Sequence, residues 1–206
     1  LGLGPRGRRF ESYISDQGKI MKEQELLGKA INLFKHLAKG DVPLEVDEIT
    51  SVLDTFNQNS IDVFYALANE IADRDMNIER VLILTDYSNC ILLAEILHSV
   101  LNIDWIDIVD QSPINEKIRQ IYMKANDVPK VYGSINCDPY ECSEDLSQYN
   151  LIINLGNIFT EVVYGPTFAY ICEGSKKLIK QQSDMAHIEH YNKHGDNSLV
   201  IGYNYV

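Results

Sequence analysis

Asp110 is the side chain with the clearest chemical meaning in this sequence. It ends the apolar run IDWIDIVD at residues 103–110, roughly 25 residues after the turn that follows the preceding run. A carboxylate at the end of a strand can accept hydrogen bonds from both hydroxyls of a ribose, which nicotinamide dinucleotides and S-adenosylmethionine both carry. The alternative is that Asp110 only caps the following helix, because Asp is a favoured N-cap residue.

The turn after the first apolar strand is polar and contains no glycine. In VLILTDYSNCILLAEIL, residues 81–97, it consists of Asp86, Tyr87, Ser88 and Asn89. Asp86 is expected either to orient backbone groups of the turn or to cap the next helix. A GxGxxG sequence, which lets a pyrophosphate lie against a helix N-terminus, is missing. A nicotinamide dehydrogenase is therefore the weaker of the two cofactor hypotheses.

Three histidines could in principle hold a metal. His187, His190 and His194 are spaced by three and four residues, which on a helix would place their imidazoles on one face. The segment is polar and contains Gly195, and exposed histidines often have no such role. We therefore predict no metal site. A Ser-His-Asp hydrolase is not supported either, because the sequence has no GxSxG elbow.

Three amphipathic helices are predicted before the first strand. Apolar residues spaced by three and four predict a helix over residues 22–39, and Pro43 begins a second helical segment that closes near Asn57. Ser60 is the expected N-cap of a third helix. This helical front is expected to shape the mouth of a site.

The remainder alternates between strands and helices, which predicts an α/β fold: a Rossmann-like, doubly wound and mostly parallel sheet. Strands are predicted at 80–86, 103–110, 129–140, 149–156, 176–182 and 198–206, with helices reaching about 101 and spanning 113–125 and 160–172. Ile114, Ile118, Ile121 and Tyr122 form the predicted apolar side of the helix at 113–125. The predicted organisation is a helical front at 21–78 and an α/β domain at 79–206.

Ligands of such sheets bind at the carboxyl ends of the strands. The candidate cofactor-binding residues are therefore those at the predicted strand ends: Asp86, Tyr87, Ser88, Asp110, Gln111, Cys137, Asp138 and Asn154.

Residues 1–20 differ in composition from the rest, being rich in Gly and Arg. Their run RRFES resembles a translated segment of a transfer-RNA gene, so our hypothesis is a non-native leader with Met21 as the natural start. The alternative is a flexible basic arm.

Charge and apolar patterning narrow the class of partner. The net charge is −12, with no Lys/Arg cluster interleaved with aromatics, so direct nucleic-acid binding is disfavoured. No stretch has the roughly 20 apolar residues of a membrane span, and no secretory signal is present, so we expect a cytoplasmic protein without a membrane partner. The four cysteines form no CxxC pair and are expected to be reduced.

The order VLILTDYSN, IDIVDQSPINEKIR, CDPYE and YNLIINLGN resembles class I S-adenosylmethionine-dependent methyltransferases, and YNLIIN followed by KKLIKQQSD resembles a small bacterial and phage group of such proteins. By this resemblance, the turn at Asp86 to Ser88 would hold the methionine part and Asp110 the ribose. Cys137 and Asp138 would contact the adenine, and Asn154 would face the substrate. The departure is the turn, where the superfamily normally has glycines.

The resemblance implies a methyltransferase that acts on a small molecule or a protein side chain, with Asp138, His187 and His190 as candidate general bases. Strand four does not end in Asn-Pro-Pro-Tyr or Asp-Pro-Pro-Tyr, so a nucleobase acceptor is not indicated. The alternative is a catalytically inactive methyltransferase-like fold that serves as a binding or assembly module.

Overall fold

The computed structural model describes residues 16–39, 45–74, 76–129, 132–137, 148–155, 167–172 and 199–204. Its helices are α1 (Asp16–Ala38), α2 (Val46–Thr55), α3 (Gln58–Asp73), α4 (Cys90–Leu101) and α5 (Pro113–Ala125). Its strands are β1 (Arg80–Thr85), β2 (Trp105–Val109), β3 (Gly133–Ile135), β4 (Leu151–Leu155), β5 (Thr167–Cys172) and β6 (Leu199–Asn204). Three helices precede β1, and α4 and α5 alternate with β1, β2 and β3, as the sequence predicts.

The six strands form one parallel sheet in the order β3-β2-β1-β4-β5-β6. In the register of the central strands, Leu82 lies beside Asp107 of β2 and Ile152 of β4. The chain leaves β1 in one direction towards β3 and later returns to the other side of β1 at β4. The fold is therefore α/β and Rossmann-like, and its topological switch point lies between β1 and β4, where ligands of open parallel sheets bind.

Both faces of the central strands are buried, which explains their near-continuous apolar sequence. Val81 and Ile83 of β1 belong to the same apolar core as Leu33 and Phe64 of the helical front. Leu82 and the other residues that alternate with them are equally buried on the opposite face.

The helical front packs on the helices of the α/β region rather than standing apart. α3 packs against α4, and α1 packs against α5 and α3. Lys29 Nζ of α1 lies 2.7 Å from Glu95 Oε1 of α4, and the hydroxyl of Tyr122 on α5 donates to Glu95 Oε2. Because Glu95 joins three helices, it fixes the front against the sheet layer.

Local sequence signals explain most helix boundaries. Ser112 caps α5 by accepting from the amide of Asn115, and Pro113 occupies the first turn, where its missing N–H costs nothing. The predicted N-cap of α3 was wrong. The cap is Asn57, whose side chain accepts from the amide of Ser60, while the Ser60 hydroxyl donates to the carbonyl of Thr55.

Two further predictions are corrected. Residues 167–172 form β5 rather than the end of a helix at 160–172, because the run TFAYIC is aromatic and β-branched and suits a pleated strand. The buried side of α5 consists of Ile118, Arg119 and Tyr122, whereas Ile114 is 38% exposed.

Other predictions meet the structure only in part. α1 begins at Asp16, upstream of both the predicted helix start and Met21. The strand predicted at 176–182 lies outside the described residues. Among the described helices, none has the length and apolarity needed to cross a bilayer.

Candidate functional site

A cavity of about 370 Å³ opens where β1 and β2 end, and α2 of the helical front covers it. Its volume falls in the range of small-molecule sites, roughly 300–1,000 Å³. The residues that line it come from α2, from the turn after β1 and from the start of α5: Glu48, Val52, Thr55, Asp86, Tyr87, Ser88, Ser112, Ile114, Asn115 and Ile118. The cavity therefore contains three of the predicted cofactor-binding residues, Asp86, Tyr87 and Ser88.

The turn after β1 is closed by its own side chains. The amide of Tyr87 donates to Thr85 Oγ1 over 2.9 Å, and the Thr85 hydroxyl donates back to the carbonyl of Tyr87. Asn115 Nδ2 of α5 donates to the carbonyl of Asp86 over 2.9 Å. Among the described residues other than glycine, only Asn102 and Asp127 have a positive φ. The turn thus needs no left-handed residue, which explains how it forms without glycine.

Asn89 connects the turn with the helical front. It stands at the N-cap of α4, yet its side chain makes no capping hydrogen bond. Its Nδ2 donates instead to the carbonyl of Thr55 over 2.8 Å, and Asn89 is fully buried. Thr55 ends α2 and lines the cavity. This bond therefore holds α2, which covers the cavity, to the turn after β1, which forms its base.

Asp110 directly follows β2, but it is not among the described residues that line the cavity. Oδ2 accepts from Arg119 Nη1 over 2.6 Å, and Oδ1 accepts from the amide of Ser112 over 2.8 Å. The side chains of Arg119 and Asp110 are 5% and 1% exposed. Asp110 thus belongs to a buried ion pair directly behind the cavity, and it fixes Ser112, which does line the cavity.

Cys90, the first residue of α4, completes this buried group. Arg119 Nη1 lies 3.9 Å from Cys90 Sγ. Burial raises the pKa of the Cys90 thiol to about 12, against a lowering effect of Arg119. Burial alone would lower the pKa of Arg119, but Cys90 and Asp110 together raise it. At neutral pH the guanidinium is therefore charged and Cys90 is a neutral thiol, which is not a nucleophile.

The other predicted site residues are distributed around this centre. Gln111 is exposed next to Asp110, and Cys137 is half-buried after β3. Asn154 is 6% exposed on β4, beside Leu84 of β1. None of these three is among the described residues that line the cavity.

Four predicted positions, Asp138, His187, His190 and His194, lie outside the described residues. Within the described ranges, no group of three or more His, Cys, Asp or Glu residues is placed to hold a metal ion.

Sequence reasoning missed Arg119 and Asn115, and it placed the helical front at the mouth of a site without identifying the α2 residues that line the cavity. Arg119 carried a usable signal, since it lies between Ile118 and Tyr122 on the apolar side of α5 and an acid ends the preceding strand. The positions of Asn115 and α2 depend on how distant segments pack, for which the sequence has no local signal.

The charge of the cavity is negative. Glu48 and Asp86 bring two carboxylates, and no Lys, Arg or His is found among the described residues that line it. The site therefore favours a ligand that carries positive charge over one that carries phosphates.

The sequence matches no protein-family model, and no curated protein matches it. Solved structures of the plantazolicin methyltransferase BpumL are similar to this chain. The complex with SAH has 13% identity and a TM-score of 0.38, covering 66% of this chain and 50% of that one. The complex with a triazolic desmethylPZN analog and SAH has 14% identity and a TM-score of 0.38, covering 66% and 49%. This chain thus spans about half the length of these proteins.

Proposed function

We propose that this protein binds S-adenosylmethionine in the cavity at the ends of β1 and β2 and transfers its methyl group to a small molecule or a protein side chain. One observation carries the proposal. A cavity of suitable size lies at the carboxyl ends of β1 and β2, beside the switch point, and is lined by Glu48 and Asp86 with no basic group among its described lining residues.

The charges of the ligand and the cavity are complementary. S-adenosylmethionine carries a sulfonium and an ammonium group, which carboxylates attract, and one carboxylate of its own, so that its net charge is positive. Ser112 and Asn115 add a hydroxyl and an amide to the lining, beside the turn that contains Asp86, and both groups suit the polar atoms of a nucleoside. The residues present therefore fit this cofactor.

The proposed contacts follow the positions in the structure. Asp86, Tyr87 and Ser88 are the proposed direct contacts, because they line the cavity. Gln111, Cys137, Asp138 and Asn154 are proposed to complete the site from the neighbouring strand ends. Asp110 is proposed to contribute through Ser112, whose amide it holds.

A dinucleotide is the second candidate, because the strand order β3-β2-β1-β4-β5-β6 is that of dinucleotide-binding sheets. The turn after β1 argues against it. It lacks glycine, and the amide of Tyr87 already donates to Thr85, so fewer N–H groups can hold a pyrophosphate.

The chemistry requires little beyond orientation. When bound, S-adenosylmethionine supplies an electrophilic methyl group for in-line displacement by the acceptor. The protein has to hold the acceptor in line with that methyl group and keep water out. α2 covers the cavity, so its residues are the ones we expect to touch the acceptor.

Isothermal titration calorimetry of the whole chain with S-adenosylmethionine, S-adenosylhomocysteine and NAD⁺ tests the proposal. We expect saturable binding of the first two and none of NAD⁺. Preference for NAD⁺ would replace the proposal with the dinucleotide reading, and no binding of any of the three would favour a binding or assembly module. Formation of S-adenosylhomocysteine from S-adenosylmethionine, when a small-molecule or protein acceptor is added, would show that the protein is an enzyme. Binding without this product would show an inactive binding protein.

A further inference from the structure

Arg119 connects the two segments that form the base of the cavity. Its Nη1 donates to Asp110 at the end of β2 and lies 3.9 Å from Cys90 at the start of α4. Asp110 in turn accepts from the amide of Ser112, which lines the cavity and caps α5. A continuous chain of contacts therefore leads from Arg119 to the wall of the site.

Stability alone is a poor reason for this arrangement. A buried ion pair loses much of its Coulombic attraction to desolvation, and an apolar pair of similar volume is often as stable. Moreover, Nη2 of Arg119 is buried and has no hydrogen-bond partner among the described residues, which adds a further cost. What the pair does provide is a fixed direction for both carboxylate oxygens of Asp110.

We propose that Arg119 is the positioning residue of the cofactor site, holding Asp110 so that the loop from Asp110 to Ser112 keeps the wall of the cavity in its binding geometry. This inference rests on the proposed function. It also changes the role of Asp110, which acts on the cofactor through Ser112 rather than by meeting the ribose itself.

The test compares two side chains on the same buried side of α5. Arg119→Met removes the ion pair, and Tyr122→Phe, one turn further along, removes the hydroxyl that donates to Glu95, and neither Tyr122 nor Glu95 lines the cavity. Binding of S-adenosylhomocysteine is measured by calorimetry, and stability is measured by urea unfolding. We expect Arg119→Met to weaken binding about tenfold or more, because small misplacements of a binding wall are costly. Tyr122→Phe should destabilise the fold but leave the dissociation constant within about twofold.

Two further variants distinguish a loss of positioning from a general loss of stability. One should restore part of the affinity, and the other combines two substitutions whose effects on affinity should not add. Arg119→Lys keeps a cation near Asp110 and should recover part of the affinity, and it replaces Arg119→Met if the latter does not fold. If both residues act along one path, the double variant Arg119→Met with Asp110→Asn should bind no more weakly than the poorer single variant.

Three outcomes would overturn the inference. Unchanged affinity in Arg119→Met would do so, and so would equal losses in Arg119→Met and Tyr122→Phe. Additive losses in the double variant would show that Arg119 and Asp110 act on binding independently. If the wild-type protein binds neither S-adenosylmethionine nor S-adenosylhomocysteine, the proposed function fails first and the inference fails with it.

Discussion

Asn89 Nδ2 donates to the carbonyl oxygen of Thr55 over 2.8 Å, across 34 positions of the sequence. This bond joins the last residue of α2 to the turn between β1 and α4. It therefore attaches the helix that covers the cavity to the turn that forms its base. Asn at an N-cap position usually caps its own helix, but the Asn89 side chain instead binds the end of α2.

Asn89→Ala is expected to lower the free energy of unfolding by about 0.5–1.5 kcal/mol, because the Thr55 carbonyl loses the Asn89 amide and keeps the Ser60 hydroxyl as a donor. It should also weaken binding of S-adenosylhomocysteine, since α2 loses its attachment to the turn. Asn126→Ala is the matched control, because it removes an Asn side chain that donates to the carbonyls of Lys29 and Tyr122, at a cost of about 1 kcal/mol, and Asn126 does not line the cavity. Urea unfolding and calorimetry of both variants give the comparison, and equal effects on binding would contradict this role of Asn89.

Removal of one carboxylate from the cavity should affect two affinities differently. S-adenosylmethionine carries a positively charged sulfur, whereas the sulfur of S-adenosylhomocysteine is neutral. Glu48→Gln retains the capping box of α2, because Gln can occupy the same position. We expect the affinity for S-adenosylmethionine to fall by up to about fivefold, as for a partly exposed ion pair, and that for S-adenosylhomocysteine to fall less. Glu116→Gln removes the same charge from α5 outside the cavity and should leave both affinities unchanged. Equal losses for the two ligands in Glu48→Gln would contradict an electrostatic role at the sulfonium.

Stability should fall at alkaline pH. Burial raises the pKa of Cys90 from 9.0 to about 12. Burial, followed by nearby Glu carboxylates, raises that of Tyr65 from 10.0 to about 12. Between these values the unfolded chain loses its protons first. The stabilisation is therefore complete below pH 9 and is lost towards pH 12, by at most about 1.4 kcal/mol per pH unit for each group.

Two substitutions separate these contributions. Cys90→Ala should flatten the decline that begins near pH 9, and Tyr65→Phe should flatten only the part above pH 10. Urea unfolding at a series of pH values measures both slopes. A wild-type stability that does not change between pH 8 and 11 would show that neither group is protected in the folded state.

Two glycines should respond to Ala in opposite directions. A Cβ at Gly133 would lie 1.8 Å from Asp107 Oδ1, while Asp107 Oδ2 accepts from the hydroxyl of Tyr149 over 2.8 Å. Asp107 would have to move, so Gly133→Ala should destabilise the protein by about 1–3 kcal/mol. A Cβ at Gly28 of α1 would meet nothing within 4 Å, and Gly28→Ala should stabilise it by up to about 1 kcal/mol. Thermal unfolding of the two variants shows whether each substitution raises or lowers stability. A Gly133→Ala variant as stable as the wild type would be incompatible with the packing of Asp107.

The parts of the fold that the sequence predicts are those with strong local signals. The continuous apolar run of β1 and the Ser112-Pro113 start of α5 are both found where their sequence indicates. A short run such as TFAYIC is ambiguous between helix and strand, because pairing with β4 and β6 decides its conformation.

The candidate site is predictable in position but not in detail. Strand ends are local features, so the sequence predicts that Asp86, Ser88 and Asp110 follow β1 and β2, where the structure has them. Which partner a polar side chain chooses depends on distant packing, and so the sequence did not indicate that Arg119 would bury Asp110. The sequence likewise did not indicate that Asn89 would bind Thr55, because an Asn at this position is equally suited to capping α4.

Ultraviolet crosslinking of radiolabelled S-adenosylmethionine, followed by peptide mapping, tests the central claim most directly. The account predicts label on the peptide that contains Asp86 to Ser88 or on the one that contains Ser112 to Ile118, and loss of that label with excess S-adenosylhomocysteine. Label confined to peptides that do not line the cavity, or label that excess S-adenosylhomocysteine does not displace, would contradict it.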